Sequence, residues 1–247
     1  MIRRTALLIL AGGLAAVAQD ALPKAETILD HYVEVTGGKA AYQKRKTEVT
    51  TGTFEMPAQG LKGSMTRYSA DPDKSYSIIE LEGIGRMEQG TVGGVAWDKN
   101  PMLGPRLKNG EEKAQGLREA IFNGAMNWRK AYTKVETQGV ETVDGDECYK
   151  LLLTPAEGKP ETTYFSKKSG LQVKTTTIAV SPQGEVPVEV AVSDYKDFGG
   201  VLQPTKMLQK AAGLEFTITI QSVKVNEDLP ADRFEPPAEI KALMTKQ

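Results

Sequence analysis

From Glu48 onward, apolar and polar residues alternate with a period of two, in short segments closed by Gly, Pro or Asp. That pattern predicts strands near Glu48–Met56, Leu61–Ala70, Ser75–Glu82 and Arg86–Trp97. Asp71-Pro72-Asp73 and Gly93-Gly94 read as turns. A second run of strands begins at Lys134–Val143, passes through Asp144-Gly145-Asp146 as a hairpin turn, and returns over Glu147–Thr154. Thr162–Ser166 and Leu171–Val180 pair across Lys167–Gly170, and Val186, Val188, Val190 and Val192 give one apolar face. Gly199-Gly200 and Gly213 turn the chain into Val201–Lys210 and Leu214–Val225. In the last of these, Leu214, Phe216, Ile218 and Ile220 share a face before the phase slips to Val223 and Val225. A bulge near Gln221-Ser222 accounts for the slip.

Two segments break the period of two. Ile28, Leu29, Tyr32, Val33 and Val35 recur at helical spacing until Gly37-Gly38, and Ala40–Tyr42 add a short turn. After the Pro101–Pro105 stretch, residues from Gly110 to about Ala131 predict a second helical segment. At about 100° per residue, Ala114, Leu117, Ala120, Ile121, Gly124, Ala125 and Trp128 form one broad face. Phe122 and Met126 project off it. Either Asn123-Gly124 ends one helix and a second begins, or one helix packs with one side and offers apolar groups on the other. The tail from Leu229 through Phe234 to Ile240 reads as a docked irregular segment.

The start of the chain reads as a secretory signal. Arg3-Arg4 precede an apolar stretch from Ala6 to Val17, and Ala16-Val17-Ala18 offers a small-x-small cleavage site. The expected layout is residues 1–18 as signal, cleaved after Ala18, and 19–247 as a single soluble periplasmic domain. With 31 basic against 32 acidic residues, no charge field recruits nucleic acid or anionic lipid. Cys148, the only cysteine, allows no intrachain disulfide and reads as a buried strand residue.

Catalytic chemistry is scarce. His31 and Glu34 could offer two ligands from one helix, but no further His or Cys cluster completes a metal site. No Gly-x-Ser-x-Gly elbow is present, and neither Gly37-Gly38-Lys39 nor Gly83-Ile84-Gly85 completes a phosphate or dinucleotide loop. The expectation is a protein that is not an enzyme, with no catalytic residue, metal or cofactor.

The order of elements resembles the periplasmic lipoprotein-carrier superfamily, the Lol-type outer-membrane lipoprotein-sorting fold. The stretches that carry it are Ile28–Tyr32 through Gly37-Gly38, Gly94–Trp97 before Pro101–Pro105, and Gly139–Gly145 leading to Tyr149–Leu151. Asp194-Tyr195 through Gly200-Val201 to Pro204, and the ending from Asn226 through Phe234–Pro237, complete it. The resemblance implies a mainly β protein with helical inserts: a curved antiparallel half-barrel of about ten or eleven strands, covered by helices.

It implies transport or binding of an acylated ligand, lipoprotein or lipid, held in the apolar concave face. Membrane-bound donor or acceptor proteins are the further partners. The residues expected to bind are Leu117, Ile121, Phe122, Met126 and Trp128 on the covering segment, with Trp97 at the sheet edge. Replacing Phe122 and Met126 by aspartate is expected to abolish uptake and spare the fold. No residue matches a carrier's lid-locking arginine; Arg118 and Arg129 lie nearest. The alternative is an envelope-sensing or protein-docking module on the same fold.

Overall fold

The computed structural model describes residues 21–181 and 184–245. The segment read as a signal, 1–18, lies outside the described residues. Two helices, α1 (Ala25–Val35) and α2 (Gly38–Lys44), precede strands β1 (Thr47–Met56), β2 (Leu61–Ala70), β3 (Lys74–Leu81), β4 (Gly85–Val92), β5 (Val95–Asn100) and β6 (Gly104–Leu107). Helices α3 (Gly110–Glu119) and α4 (Trp128–Ala131) follow. Strands β7 (Lys134–Val143), β8 (Asp146–Thr154), β9 (Glu161–Ser166), β10 (Gln172–Ser181), β11 (Gly184–Phe198), β12 (Val201–Ala211) and β13 (Leu214–Val225) come next, then α5 (Ala238–Met244).

All thirteen strands form one antiparallel sheet in the order β6-β5-β4-β3-β2-β1-β13-β12-β11-β10-β9-β8-β7. Every neighbour pair but one is a sequential hairpin, as short loops require; the exception joins β1 to β13. The two edge strands, β6 and β7, are consecutive in sequence. Residues 108–133 must therefore cross the whole face of the sheet, and this crossing segment makes the site.

The count exceeds the expected ten or eleven for two reasons. Arg86–Trp97 splits at Gly93-Gly94 into β4 and β5. Residues 104–107, inside what read as a loop, form β6 with Pro105 opposite Lys99. A proline is tolerated there because β6 is an edge and needs no donor on its outer side. The expected bulge is present: Thr51 faces Ser222 and Gly52 faces Ile220, so Gln221 is the extra residue. The tail is more regular than expected, since α5 forms and Ile240 is fully buried.

Alternation assigns the two faces. Tyr68, Tyr76, Gly90, Trp97 and Leu107 align across β2 to β6. The side chains of Tyr68, Tyr76, Trp97 and Leu107 pack under Phe234 and Ile240 of the C-terminal tail and α5. Gly90 makes this possible, because a Cβ there would press on the Trp97 ring at 2.7 Å. The neighbouring row Arg67, Ser77, Gln89, Asp98 and Arg106 points to the other face. On that face Arg67 and Arg106 meet α3, through the Glu119 carbonyl and the Glu112 carboxylate. The sheet is thus covered on its outer face by α5 and on its concave face by α1, α3 and the crossing segment.

The far end of the concave face carries a core of its own, with Ile28 and Leu29 of α1 against Leu151, Leu153, Phe165 and Trp128. Beside it, Tyr132 hydrogen-bonds to Glu161. Burial raises the Glu161 carboxyl above the ordinary glutamate range, against the smaller pull of the Tyr132 hydrogen bond and Arg118. A raised native value means stability is fully present below the ordinary glutamate range and is lost as pH rises through the native value. Glu161→Gln keeps an acceptor for Tyr132 and removes the buried charge. Urea midpoints followed against pH should show the variant flat where the parent declines, and more stable than the parent at neutral pH. A parent whose midpoint rises with pH relative to the variant over that range would show that the ionised hydrogen bond outweighs the burial cost.

Candidate functional site

The crossing segment loses helical form where distant carbonyls capture one backbone N–H and one side-chain amide. The Phe122 N–H donates to the Pro72 carbonyl at 2.8 Å, and Asn123 Nδ2 donates to the Tyr42 carbonyl at 2.8 Å. Asn123 takes a positive φ of 52°, a conformation that asparagine tolerates better than most residues. Helix α3 therefore ends at Glu119, before Asn123-Gly124, and only α4 resumes. Trp128 fastens the far side: its indole donates to Asp30 at 3.1 Å, Arg129 forks onto the same carboxylate, and the Arg129 guanidinium lies 3.9 Å from the Trp128 ring centroid.

Between this segment and the sheet lies a cavity of about 440 Å³. Its apolar part has Met65, Ile79, Met207, Ile218, Ile220 and Val223 on the sheet side. Ala120, Ile121, Phe122 and Ala125 line it from the crossing segment, and Tyr32 and Tyr42 from the helices. Its polar part comprises Arg45, Glu48, Thr50, Arg67, Ser69, Ser77, Gln89 and Gln203, with Asn123 on the crossing segment. The size falls within the range of roughly 300–1,000 Å³ usual for small-molecule sites.

The hydroxyls of the helical wall and of the neighbouring β11 are internally satisfied. Tyr195 donates to the Gln172 carbonyl at 2.9 Å, Tyr32 lies 3.5 Å from the Tyr195 hydroxyl, and the Thr36 and Tyr42 hydroxyls are 2.8 Å apart. Burial pushes the Tyr195 phenol up to about 12, and those of Tyr32 and Tyr42 upward as well. All three stay neutral at physiological pH.

One charged cluster is closed and one is open. Arg45, only 2% exposed, pairs with Glu48, which also accepts from Thr50 at 2.8 Å and Gln203 at 3.0 Å. Arg67 donates through Nε to Ser69 at 3.3 Å and through Nη2 to the Glu119 carbonyl at 2.9 Å. It pairs with no carboxylate among the described residues.

The residues singled out from the sequence are dispersed. Ile121 and Phe122 line the cavity, with Phe122 only 5% exposed. Met126 packs against Val33, Tyr42 and Val201. Trp128 belongs to the α1 core, and Leu117 is half-buried on α3 away from the cavity. Trp97, 1% exposed, sits in the core under α5, because its parity in β5 turns it to the outer face. The expectation that aspartate at 122 and 126 would spare the fold is corrected, since both positions are packed and a buried unpaired charge is costly. Arg67, not singled out from the sequence, proves to be the arginine that holds the end of α3. Among the described residues no three His, Cys, Asp or Glu side chains cluster to hold a metal ion. No described helix is long and apolar enough to cross a membrane.

No protein-family model matches the chain, and no curated protein matches it. Solved structures do. A LolA superfamily protein from Nitrosomonas europaea superposes with a TM-score of 0.58 at 16% identity, covering 87% of this chain and 99% of its own. A DUF1329 family protein from Desulfovibrio piger gives 0.57 at 17% identity, covering 85% and 97%. A putative outer membrane lipoprotein-sorting protein domain from Vibrio parahaemolyticus gives 0.51 at 12%, covering 85% and 95%. Thirteen antiparallel strands wrapped beneath a crossing segment give this chain the LolA-type lipoprotein-sorting fold.

Proposed function

We propose that the protein is a non-enzymatic periplasmic carrier or binding protein for an acylated ligand, a lipid or the lipid part of a lipoprotein. Residues 1–18 act as its export signal and 19–247 as one working unit. The observation that carries this reading is the cavity of about 440 Å³ between the sheet and the crossing segment, with its apolar floor. An acyl chain entering it gains about 0.8 kcal/mol per buried methylene, so about eight methylenes offer about 6 kcal/mol before ordering costs. No polar chemistry is needed for that gain. The crossing segment shields the apolar floor when no ligand is bound, which limits exposed hydrophobic surface.

The ligand-facing residues in this reading are Ile121 and Phe122 above and Met65, Ile79, Met207 and Ile218 below. Leu117, Met126, Trp97 and Trp128 support the segment and sheet around them. A fluorescent fatty acid whose emission rises in apolar surroundings tests the proposal. Saturable enhancement, displaced by unlabelled fatty acid and weakened by Ile121→Asp, is the expected result. Emission that rises linearly without saturation would remove the cavity from the account and favour a docking role for the same sheet.

A further inference from the structure

The cavity changes from apolar to polar in an ordered way. Gly52, Met65, Ile79 and Met87 align as one row across β1 to β4. Two residues along the strands, Thr50, Arg67, Ser77 and Gln89 align as the next row on the same face. At about 3.3 Å per residue, the two rows lie about 7 Å apart. The site therefore has a greasy end and a wet end, separated by little more than a headgroup.

Its charge is not balanced. The charged residues of the lining are Arg45, Arg67 and Glu48, which leaves a net charge of +1. Glu48 is fully engaged by Arg45, Thr50 and Gln203. The guanidinium of Arg67 has only the Ser69 hydroxyl and the Glu119 carbonyl, both neutral, and its Nη1 has no protein partner among the described residues. Arg67 itself is half-buried, and the Nε of the neighbouring Arg45 is buried without a partner. A cation in a partly dry site favours an anion there, and a planar guanidinium favours a carboxylate or phosphate, whose oxygens match its fork.

Resting on the acyl-ligand reading, we propose that the cavity selects single-chain amphiphiles with an oxyanion head, carboxylate or phosphate. The head sits at Arg67 between Ser69, Ser77 and Gln89, and the chain lies along Met65, Ile79, Ile218 and Met207. Ser77 and Gln89 have hydrogen-bonding capacity to complete the head's coordination. The selection comes from charge and fork geometry at one residue, while the chain supplies most of the affinity.

Calorimetric titration with dodecanoate, dodecyl phosphate and dodecanol, each below its micelle threshold, tests this. Charge-assisted hydrogen bonds predict the two anions bind about ten- to a hundredfold tighter than the alcohol. Arg67→Gln should collapse that ratio to near unity, and Arg67→Lys should restore part of it. The ratio is the readout, because a looser crossing segment would shift all three ligands together. A preference for one anion over the other identifies which head the site was built for. Equal affinity for acid and alcohol in the parent protein overturns the selection and leaves the acyl cavity standing. An anion preference that survives Arg67→Gln overturns the assignment to Arg67. No binding by any of the three overturns the acyl reading together with this one.

Discussion

Ile218→Trp is expected to abolish acyl-chain uptake while the protein remains folded. Ile218 lies on β13 between Phe54 of β1 and Met207 of β12, half-buried on the floor of the cavity. A larger ring at this position projects into open space instead of into packed core, so it avoids the usual strain of overpacking. What it displaces is ligand. Excluding even two methylenes at about 0.8 kcal/mol each costs about 1.6 kcal/mol, already more than tenfold in affinity. Blocking the path of the whole chain costs more. Thr219→Trp is the control, because the adjacent residue faces outward and is exposed. The displacement assay should lose its signal in the first variant and keep it in the second, with both melting near the parent. Uptake unaffected by Ile218→Trp would place the chain elsewhere.

Gly37→Ala is expected to be the most destabilising of the simple substitutions in the helical cap. Gly37 has φ of +136°, outside the range an L side chain adopts readily. A Cβ there would also collide with the Gly200 carbonyl oxygen. The close approach has a purpose, since the Thr36 carbonyl accepts the Leu202 N–H at 2.8 Å across the same junction. Leu202 lies in the part of β12 that is not paired with β13, whose contacts with β12 begin only at Lys206. The helical cap thus substitutes for a missing strand neighbour. Strain and lost contacts together should cost about 2–4 kcal/mol, lowering the melting temperature by about 5–15 °C. Gly38→Ala separates conformation from crowding. Its φ is +76°, but an added Cβ meets only a flexible Glu34 oxygen at 3.5 Å. It should cost about 1 kcal/mol, as a left-handed alanine does. Equal losses at the two positions would mean that the junction with Gly200 is not tight.

Much of this architecture was legible in the sequence because period-two patterning and turn chemistry are local. The Gln221 bulge was readable as a phase slip, and the Asp144-Gly145 turn as two residues that accept positive φ, which both have at 49° and 86°. What stayed hidden depends on distant partners. Helix α3 stops because carbonyls of Pro72 and Tyr42, far away in sequence, take hydrogen bonds from residues 122 and 123. Trp97 was misleading for a different reason. Alternation separates it from Ala96, but both faces of β5 are covered, one by α3 and the other by α5, so parity alone does not say which face holds the cavity. Arg67 escaped notice because Met65, Arg67 and Ser69 read as an ordinary mixed strand face. Only the crossing segment above them turns that face into a site.

Whether this fold holds an acylated ligand is decided by native mass spectrometry of the protein purified under non-denaturing conditions from cells that express it. Organic extraction of the same sample identifies whatever is released. The expected result is an adduct of lipid mass that disappears in Ile218→Trp. An apo mass, unchanged after incubation with lipids and with an acylated peptide, would contradict it.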